Sequence, residues 1–272
     1  MIIDWLKSFI RNYKGNKTRA DCRELAVRFK TAMEKNTDKI PVLVVSYNNG
    51  IYVKNTVMQL QKRGVTPVVI DNCSNDLATQ EILQDLEQDG WAYVVLSDKN
   101  FGHTVGFIEP IYNLLPDVFA YTDPDLEFSP TLPIDFLAVL SELTNEYAVF
   151  KAGFALDLME EAKAVDGFIR TRKASSKNNP IAIDRTFSFR AWEAQFWRMR
   201  LAHESLEVYA AALDTTFAVY RKSNYQGSFF DGVRVAGEYK AIHLPWFPDL
   251  DITSEEERKR YVHKNKSTSW VG

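Results

Sequence analysis

Cysteine is almost missing from this chain. The two present, Cys22 and Cys73, have neither metal-ligand spacing nor the density of a disulfide framework. That points to a reducing cytoplasm. Long hydrophobic runs are also missing: no apolar stretch approaches the ~18 residues of a membrane-spanning helix. The N-terminal apolar residues are broken by Asp4 and Lys7, unlike a signal peptide. Charge of one sign does not dominate, with 33 Lys and Arg against 36 Asp and Glu and a formal net charge of -3, so no general basic field invites nucleic acid. No Gly/Ser/Pro-rich linker, low-complexity run or internal repeat divides the chain. One large α/β domain is therefore expected of its 272 residues, 46% of them hydrophobic.

Residues 2–14 carry an amphipathic helical pattern, with Ile2, Ile3, Trp5, Leu6, Phe9, Ile10 and Tyr13 on one stripe. The ordinary reading is packing on the body of the protein or on a second copy, a homo-oligomer. The other is an interfacial anchor giving peripheral contact with the inner face of a membrane. A charged helix is expected over 18–35. From residue 40 the texture becomes strand-helix alternation. Apolar, β-branched runs at 40–46, 66–70, 91–96 and 118–122 alternate with helical segments at 52–63 and 78–88, and a segment at 105–115 that Pro110 limits. Such alternation builds a mainly parallel sheet.

The second half is less regular. Residues 147–156 and 216–220 read as strands, and 191–204 as an aromatic, charged helix. A loop rich in Lys, Ser and Asn covers 171–180, a short strand lies within 233–248, and a capped, charged helix covers 253–264. The basic segment 264–270, ending in Trp270, has the character of a lid.

Ligands of parallel sheets sit beyond the C-terminal strand ends, and polar clusters fall at all four. They are Ser46-Tyr47-Asn48-Asn49, Asp71-Asn72-Cys73-Ser74-Asn75-Asp76, Asp98-Lys99-Asn100-Phe101-Gly102 and Asp123-Pro124-Asp125. Each alone is ordinary loop chemistry; four in succession indicate a site. The last is the sharpest. In extended backbone, residues i and i+2 project to one side, and Pro124 holds Asp123 extended. Asp123 and Asp125 therefore converge, with Glu127 behind them. Two carboxylates so close call for a cation or a shared proton, and a hard divalent cation with open positions for phosphate oxygens suits them.

Here the chain resembles the GT-A glycosyltransferases, family-2-like members in particular, clearly over 40–130 and more loosely to 248. The resemblance implies a Rossmann-like, mixed and mainly parallel sheet flanked by helices. It would have an N-terminal helical extension (1–39), a catalytic domain (40–248, with a nucleotide-binding half 40–130 and an acceptor half 131–248) and a C-terminal helix and tail (249–272). In such enzymes Ser46, Tyr47, Asn48, Asp71 and Asn72 would bracket the nucleoside, and Asn100 and Gly102 would lie near the ribose and diphosphate. Asp123 would sit at the nucleotide, sharing Mn²⁺ or Mg²⁺ with Asp125. His243, in His-Leu-Pro-Trp after a short strand, matches a late third ligand. Trp192 and Trp246 are candidate sugar-stacking faces. The familiar late Glu-Asp pair is missing, which leaves the base open among Asp214, Asp231 and Glu193.

The implied function is metal-dependent transfer of a hexose or N-acetylhexosamine from a nucleotide sugar, UDP-linked, to a glycan or lipid-linked acceptor in surface polysaccharide synthesis. A sugar-nucleotide nucleotidyltransferase is the rival enzyme class. It needs a Gly-rich basic loop that 46–52, with only Gly50 and no basic residue, does not provide. A non-catalytic nucleotide- or glycan-binding module is the other alternative.

Overall fold

A computed structural model describes residues 22–165, 168–171, 185–264 and 270–271. The expected helix over 2–14, most of the Lys/Ser/Asn-rich loop and residues 265–269 of the C-terminal lid lie outside the described residues.

The elements follow the alternation in the sequence. They are α1 (Arg23–Lys35), β1 (Val42–Ser46), α2 (Gly50–Gln61), β2 (Val68–Asp71), α3 (Leu77–Gln88), β3 (Tyr93–Leu96), a 3₁₀ turn at Val105–Phe107, α4 (Glu109–Tyr112) and β4 (Val118–Thr122). β5 (Leu126–Phe128), α5 (Phe136–Glu146), β6 (Lys151–Phe154), β7 (Phe168–Thr171), β8 (Arg185–Ser188), α6 (Phe189–Ala194), β9 (Arg200–Leu201) and β10 (Val208–Ala210) come next. The rest are β11 (Ala218–Arg221), β12 (Gly232–Val235), β13 (Ala241–His243), α7 (Glu255–Lys264) and β14 (Trp270–Val271). Pro110 falls in the first turn of α4, where a proline needs no amide partner, and the helix stays short.

Nine strands form one sheet in the order β3-β2-β1-β4-β11-β6-β12-β10-β9. β1 to β4 are parallel, β6 and β12 are parallel, and β11 runs antiparallel between β4 and β6. Every residue of β1 and β2 is buried. Alternation divides β1 between two cores. Val42 and Val44 pack with Tyr52, Val57 and Leu60 of α2 and with Phe136 and Leu140 of α5, while Leu43 and Val45 pack with Leu25 and Phe29 of α1 and with Phe107. Helices thus cover both faces. Gly153 in β6 is fixed by close approach, since a Cβ there would lie 2.3 Å from the Phe217 carbonyl oxygen.

The chain leaves β1 toward β2 and β3, then crosses back so that β4 lands on the other side of β1. The carboxyl ends of β1 and β4 therefore splay into a crevice at the reversal of strand order, the ligand position in open parallel sheets. One expectation needs correcting. The helix read over 191–204 stops at Ala194, turns through 3₁₀ at Gln195–Trp197 and becomes β9, which pairs with β10. The edge pairing overrides the local helical pattern. Among the described residues, no helix is long and apolar enough to cross a membrane.

Candidate functional site

The crevice opens into a cleft of about 650 Å³. Its lining brings together Tyr47, Asn72, Asn100, Gly102, Asp123 and Asp125 from the loops after the four parallel strands. Trp192, Glu193, Asp214, His243 and Trp246 line it from the second half of the chain. Four sequence candidates are not among its lining, and each braces a loop instead. Ser46 is buried and donates to Asn49 Oδ1 at 3.3 Å. Asn48 takes a left-handed φ of 52°; its amide donates to Ser74 Oγ, and its Oδ1 accepts the amides of Asn75 and Asp76. Asp71 accepts from the Ser74 amide at 2.8 Å and from its hydroxyl at 2.5 Å. Asp231 accepts from the Phe150 amide at 3.4 Å.

Asn72 links two of the loops, donating to the Gly102 carbonyl at 3.0 Å and accepting from the Phe101 amide at 3.2 Å. Asn100 accepts from the Gly102 amide at 2.8 Å, which holds that glycine at its positive φ of 85°.

The acidic pair is held from three sides. β5 pairs antiparallel with β13, and the Leu244 amide donates to the Asp125 carbonyl at 3.0 Å, which brings His243 alongside Asp125. Asp125 Oδ2 accepts from Tyr261 of α7 at 2.7 Å and faces His243 Nε2 at 3.4 Å. Its Oδ1 is buried with no hydrogen-bond partner among the described residues. Burial pushes the Asp125 carboxyl up, but His243 and the Tyr261 hydroxyl outweigh it and hold the group below the ordinary range. Asp123 differs. Burial, the charge of Asp125 and that of Asp214 raise it well above the usual carboxylate range, against a 2.5 Å hydrogen bond from Thr215 Oγ1. A carboxylate pair in this state is short of positive charge.

From the other side, α2 supports the turn with polar side chains on its buried face. Thr56 Oγ1 donates to the Pro124 carbonyl at 2.5 Å, and Gln59 bridges the Leu126 carbonyl and the Phe128 amide at 3.0 and 2.6 Å. Glu127 turns toward α2 and accepts from Asn55 at 2.7 Å. Among the described residues, no three His, Cys, Asp or Glu side chains converge on one cation position. The donors that fit a divalent cation are therefore the Asp123 and Asp125 carboxylates, with Asp125 Oδ1 unsatisfied; His243 is turned onto Asp125.

The far wall is built from the antiparallel half of the sheet. Glu193 of α6 forms a buried ion pair with Arg234 of β12. Arg234 Nε also donates to the Ala212 carbonyl at 2.9 Å. Asp214 is exposed at the cleft, and its carbonyl accepts from the buried Lys151 Nζ at 3.0 Å. Burial pushes the Lys151 ammonium down to about 7. Trp246, at the cleft wall, is largely buried, stacked on Phe189 with ring centroids 4.8 Å apart and tilted against His243 at 4.4 Å. Trp192 is half-buried, with Phe196 set edge-on to it.

Lys151, Arg234, Thr215, Tyr261, Thr56 and Gln59 escaped sequence reasoning. Three left a signal: Lys151 and Arg234 are charges inside otherwise apolar strand runs, and Gln59 is polar on the inward face of a helix. Tyr261, Thr215 and Thr56 left none, because their partners lie 136, 92 and 68 residues away in the chain.

Compared with known proteins, residues 42–223 match the family described as Glycosyl transferase family 2. Among curated proteins, none matches. Among solved structures, the chain is similar to TarS residues 1–349 from S. aureus, at 15% identity and a TM-score of 0.37, covering 68% of this chain and 48% of that one. The chain thus spans about half the length of that TarS fragment. It is also similar to the mannosyltransferase PcManGT from Pyrobaculum calidifontis, solved with GDP-Man and Mn²⁺. There the identity is 10% and the TM-score 0.45, covering 90% of this chain and 69% of that one. The sheet is mixed, parallel from β3 to β4 and between β6 and β12 and antiparallel at its other joints, with helices on both faces.

Proposed function

Because the chain belongs to glycosyl transferase family 2, we propose that it moves a hexose or N-acetylhexosamine from a UDP-linked donor to a glycan or lipid-linked acceptor in surface polysaccharide synthesis. Residues 40–248 form the catalytic domain in this reading, and α7 completes its site. The observation that carries the proposal is the Asp123–Asp125 pair: two carboxylates at the strand-order reversal, one held above its usual range by burial and by the charge of the other, which itself keeps a buried, unsatisfied oxygen.

Asp123 and Asp125 would hold Mn²⁺ or Mg²⁺, with His243 the candidate for a third donor. When bound, such a cation stabilises the charge that builds on the departing diphosphate. The protein's own groups do the rest. Tyr47, Asn72 and the Asn100–Gly102 turn receive the nucleotide portion at the ends of β1, β2 and β3. Asp214, exposed at the cleft on the acceptor side, is the first candidate to accept the proton of the attacking hydroxyl. Asp231 is outside the cleft lining, and the Glu193 carboxylate already has its charge paired with Arg234 through Oε1. Trp192 supplies an apolar face for a sugar ring.

The test is binding and turnover together. Thermal shifts with UDP and GDP, each with and without Mn²⁺, should show stabilisation by UDP that needs the cation, since a ligand of the folded state raises its apparent stability. Asp125→Ala should abolish that stabilisation and cut UDP-sugar turnover by at least 100-fold. Wild-type turnover in Asp125→Ala, indifferent to Mn²⁺, would refute the proposal.

A further inference from the structure

Glu193 and Arg234 are only 2% and 4% exposed, yet both line the cleft. A buried ion pair costs desolvation and contributes little net stability; apolar residues of the same volume would hold this wall at least as well. The pair's chemistry, more than its stability, accounts for its place there.

Its bonding leaves that chemistry open. Arg234 uses Nη1 on Glu193 Oε1 and Nε on the Ala212 carbonyl. Among the described residues, Arg234 Nη2 and Glu193 Oε2 form no hydrogen bond. Neither belongs to the buried side-chain atoms left without a partner, so each keeps a small contact with solvent, and both residues line the cleft. The pair thus carries one N–H donor and one carboxylate acceptor not engaged within the protein, on residues that line the cleft and whose charges compensate. An anion gains little from a guanidinium already neutralised. A hydroxyl-bearing neutral ligand gains from both atoms, because each hydroxyl donates and accepts.

The surroundings agree. The Arg234 guanidinium carbon lies 4.1 Å above the Phe196 ring, and Trp192 stands edge-on to Phe196 at 6.0 Å. Both aromatics line the cleft. Polar groups set beside aromatic rings suit a pyranose, with its apolar ring faces and rim of hydroxyls. Topology gives the position. Arg234 is on β12, across β11 and β6 from the β4 carboxylates, whereas the loops of β1 to β3 lie on the other side.

We infer that Glu193 and Arg234 form a saccharide subsite, a donor–acceptor pair that reads neighbouring sugar hydroxyls and sets which sugar the enzyme accepts. This rests on the proposal that the cleft binds a nucleotide sugar, and it names the groups that recognise the sugar portion. The sugar comes either from the donor or from the acceptor.

Calorimetry with Mn²⁺ separates these. UDP, UDP-glucose, UDP-galactose and UDP-N-acetylglucosamine are titrated into wild type, Glu193→Gln and the paired variant Glu193→Leu/Arg234→Met. The paired variant removes both charges together and so guards against a fold lost to one uncompensated ion. A donor subsite predicts unchanged UDP affinity and at least a tenfold loss of the extra affinity that the preferred sugar confers. An acceptor subsite predicts unchanged UDP-sugar affinity, with methyl glycosides binding the UDP-loaded wild type but not the paired variant. A second series needs no variant: donors or methyl glycosides lacking one hydroxyl at a time should lose at least tenfold at one or two adjacent positions. Full sugar and glycoside affinity in the variants, or a deoxy series with no sensitive position, overturns the inference. Failure of wild type to bind UDP at all would instead overturn the reading beneath it.

Discussion

The Tyr261 hydroxyl donates to Asp125 Oδ2 across 2.7 Å, tying the C-terminal helix to the acidic turn after β4. Tyr261 is itself wedged against Tyr52, with ring centroids 5.2 Å apart, and the Tyr52 hydroxyl donates to both Asp251 oxygens at 2.9 Å. Ser254 and Glu257 form a capping box that starts α7 in register for this contact. With Oδ2 occupied by Tyr261 and faced by His243, only Oδ1 of Asp125 remains uncommitted.

Tyr261→Phe therefore removes an orienting donor without opening a cavity. A hydrogen bond to a charged group is worth about 1.5–3 kcal/mol, so Mn²⁺ affinity in the presence of UDP should fall roughly 10- to 100-fold. The fold should persist by circular dichroism. Calorimetric Mn²⁺ titration checks this, and unchanged affinity would show that Tyr261 is a packing residue only.

Asp123→Asn tests the repulsion in the pair. Asp123 gains Thr215 as a donor but, half-buried at the cleft, faces the charges of Asp125 and Asp214. Removing its charge should leave the cation-free protein as stable as wild type or more so, while the increase in melting temperature on adding Mn²⁺ and UDP disappears. A cation-free variant that melts well below wild type would mean Asp123 is a structural anchor.

The first four strands were legible because each is a short, nearly continuous apolar run, and β4 occupies the expected residues 118–122. The acidic turn was legible because Asp-Pro-Asp projects two side chains together whatever surrounds it. What surrounds it was not. The direction of Glu127 depends on Asn55 in another element, and Tyr261 approaches Asp125 only once α7 has packed. Residues 191–204 show the same limit: their helical pattern was real up to Ala194, but β10 offered Arg200 and Leu201 a ladder that no local pattern encodes.

Lys151 gives a pH signature. Burial lowers its ammonium to about 7, with Arg234 lowering it further and Asp214 and Asp231 opposing. The unfolded chain, with a lysine near 10.4, then binds more protons than the folded one between about pH 7 and 10, so this group makes stability rise with pH across that window. In Lys151→Met that contribution should vanish: the variant gains on wild type toward pH 7 and loses the advantage toward pH 10. Parallel denaturant titrations measure it, and a difference independent of pH would show that Lys151 stays charged when folded.

Gln59 links a helix interior to the acidic turn. Its amide accepts from the Phe128 amide at 2.6 Å and donates to the Leu126 carbonyl at 3.0 Å, both buried. Gln59→Leu keeps the volume of the side chain but leaves a backbone donor and acceptor unpaired, at a cost of about 1–3 kcal/mol for each group. β5 would then be less firmly held, and with it Asp125, which immediately precedes Leu126. The expected result is a lower melting temperature together with weaker Mn²⁺ binding. Thr144→Val on α5, which removes a buried hydroxyl away from the acidic turn, should lower stability and spare Mn²⁺ binding. If both variants weaken Mn²⁺ binding in proportion to their loss of stability, Gln59 acts through global stability and not through the turn.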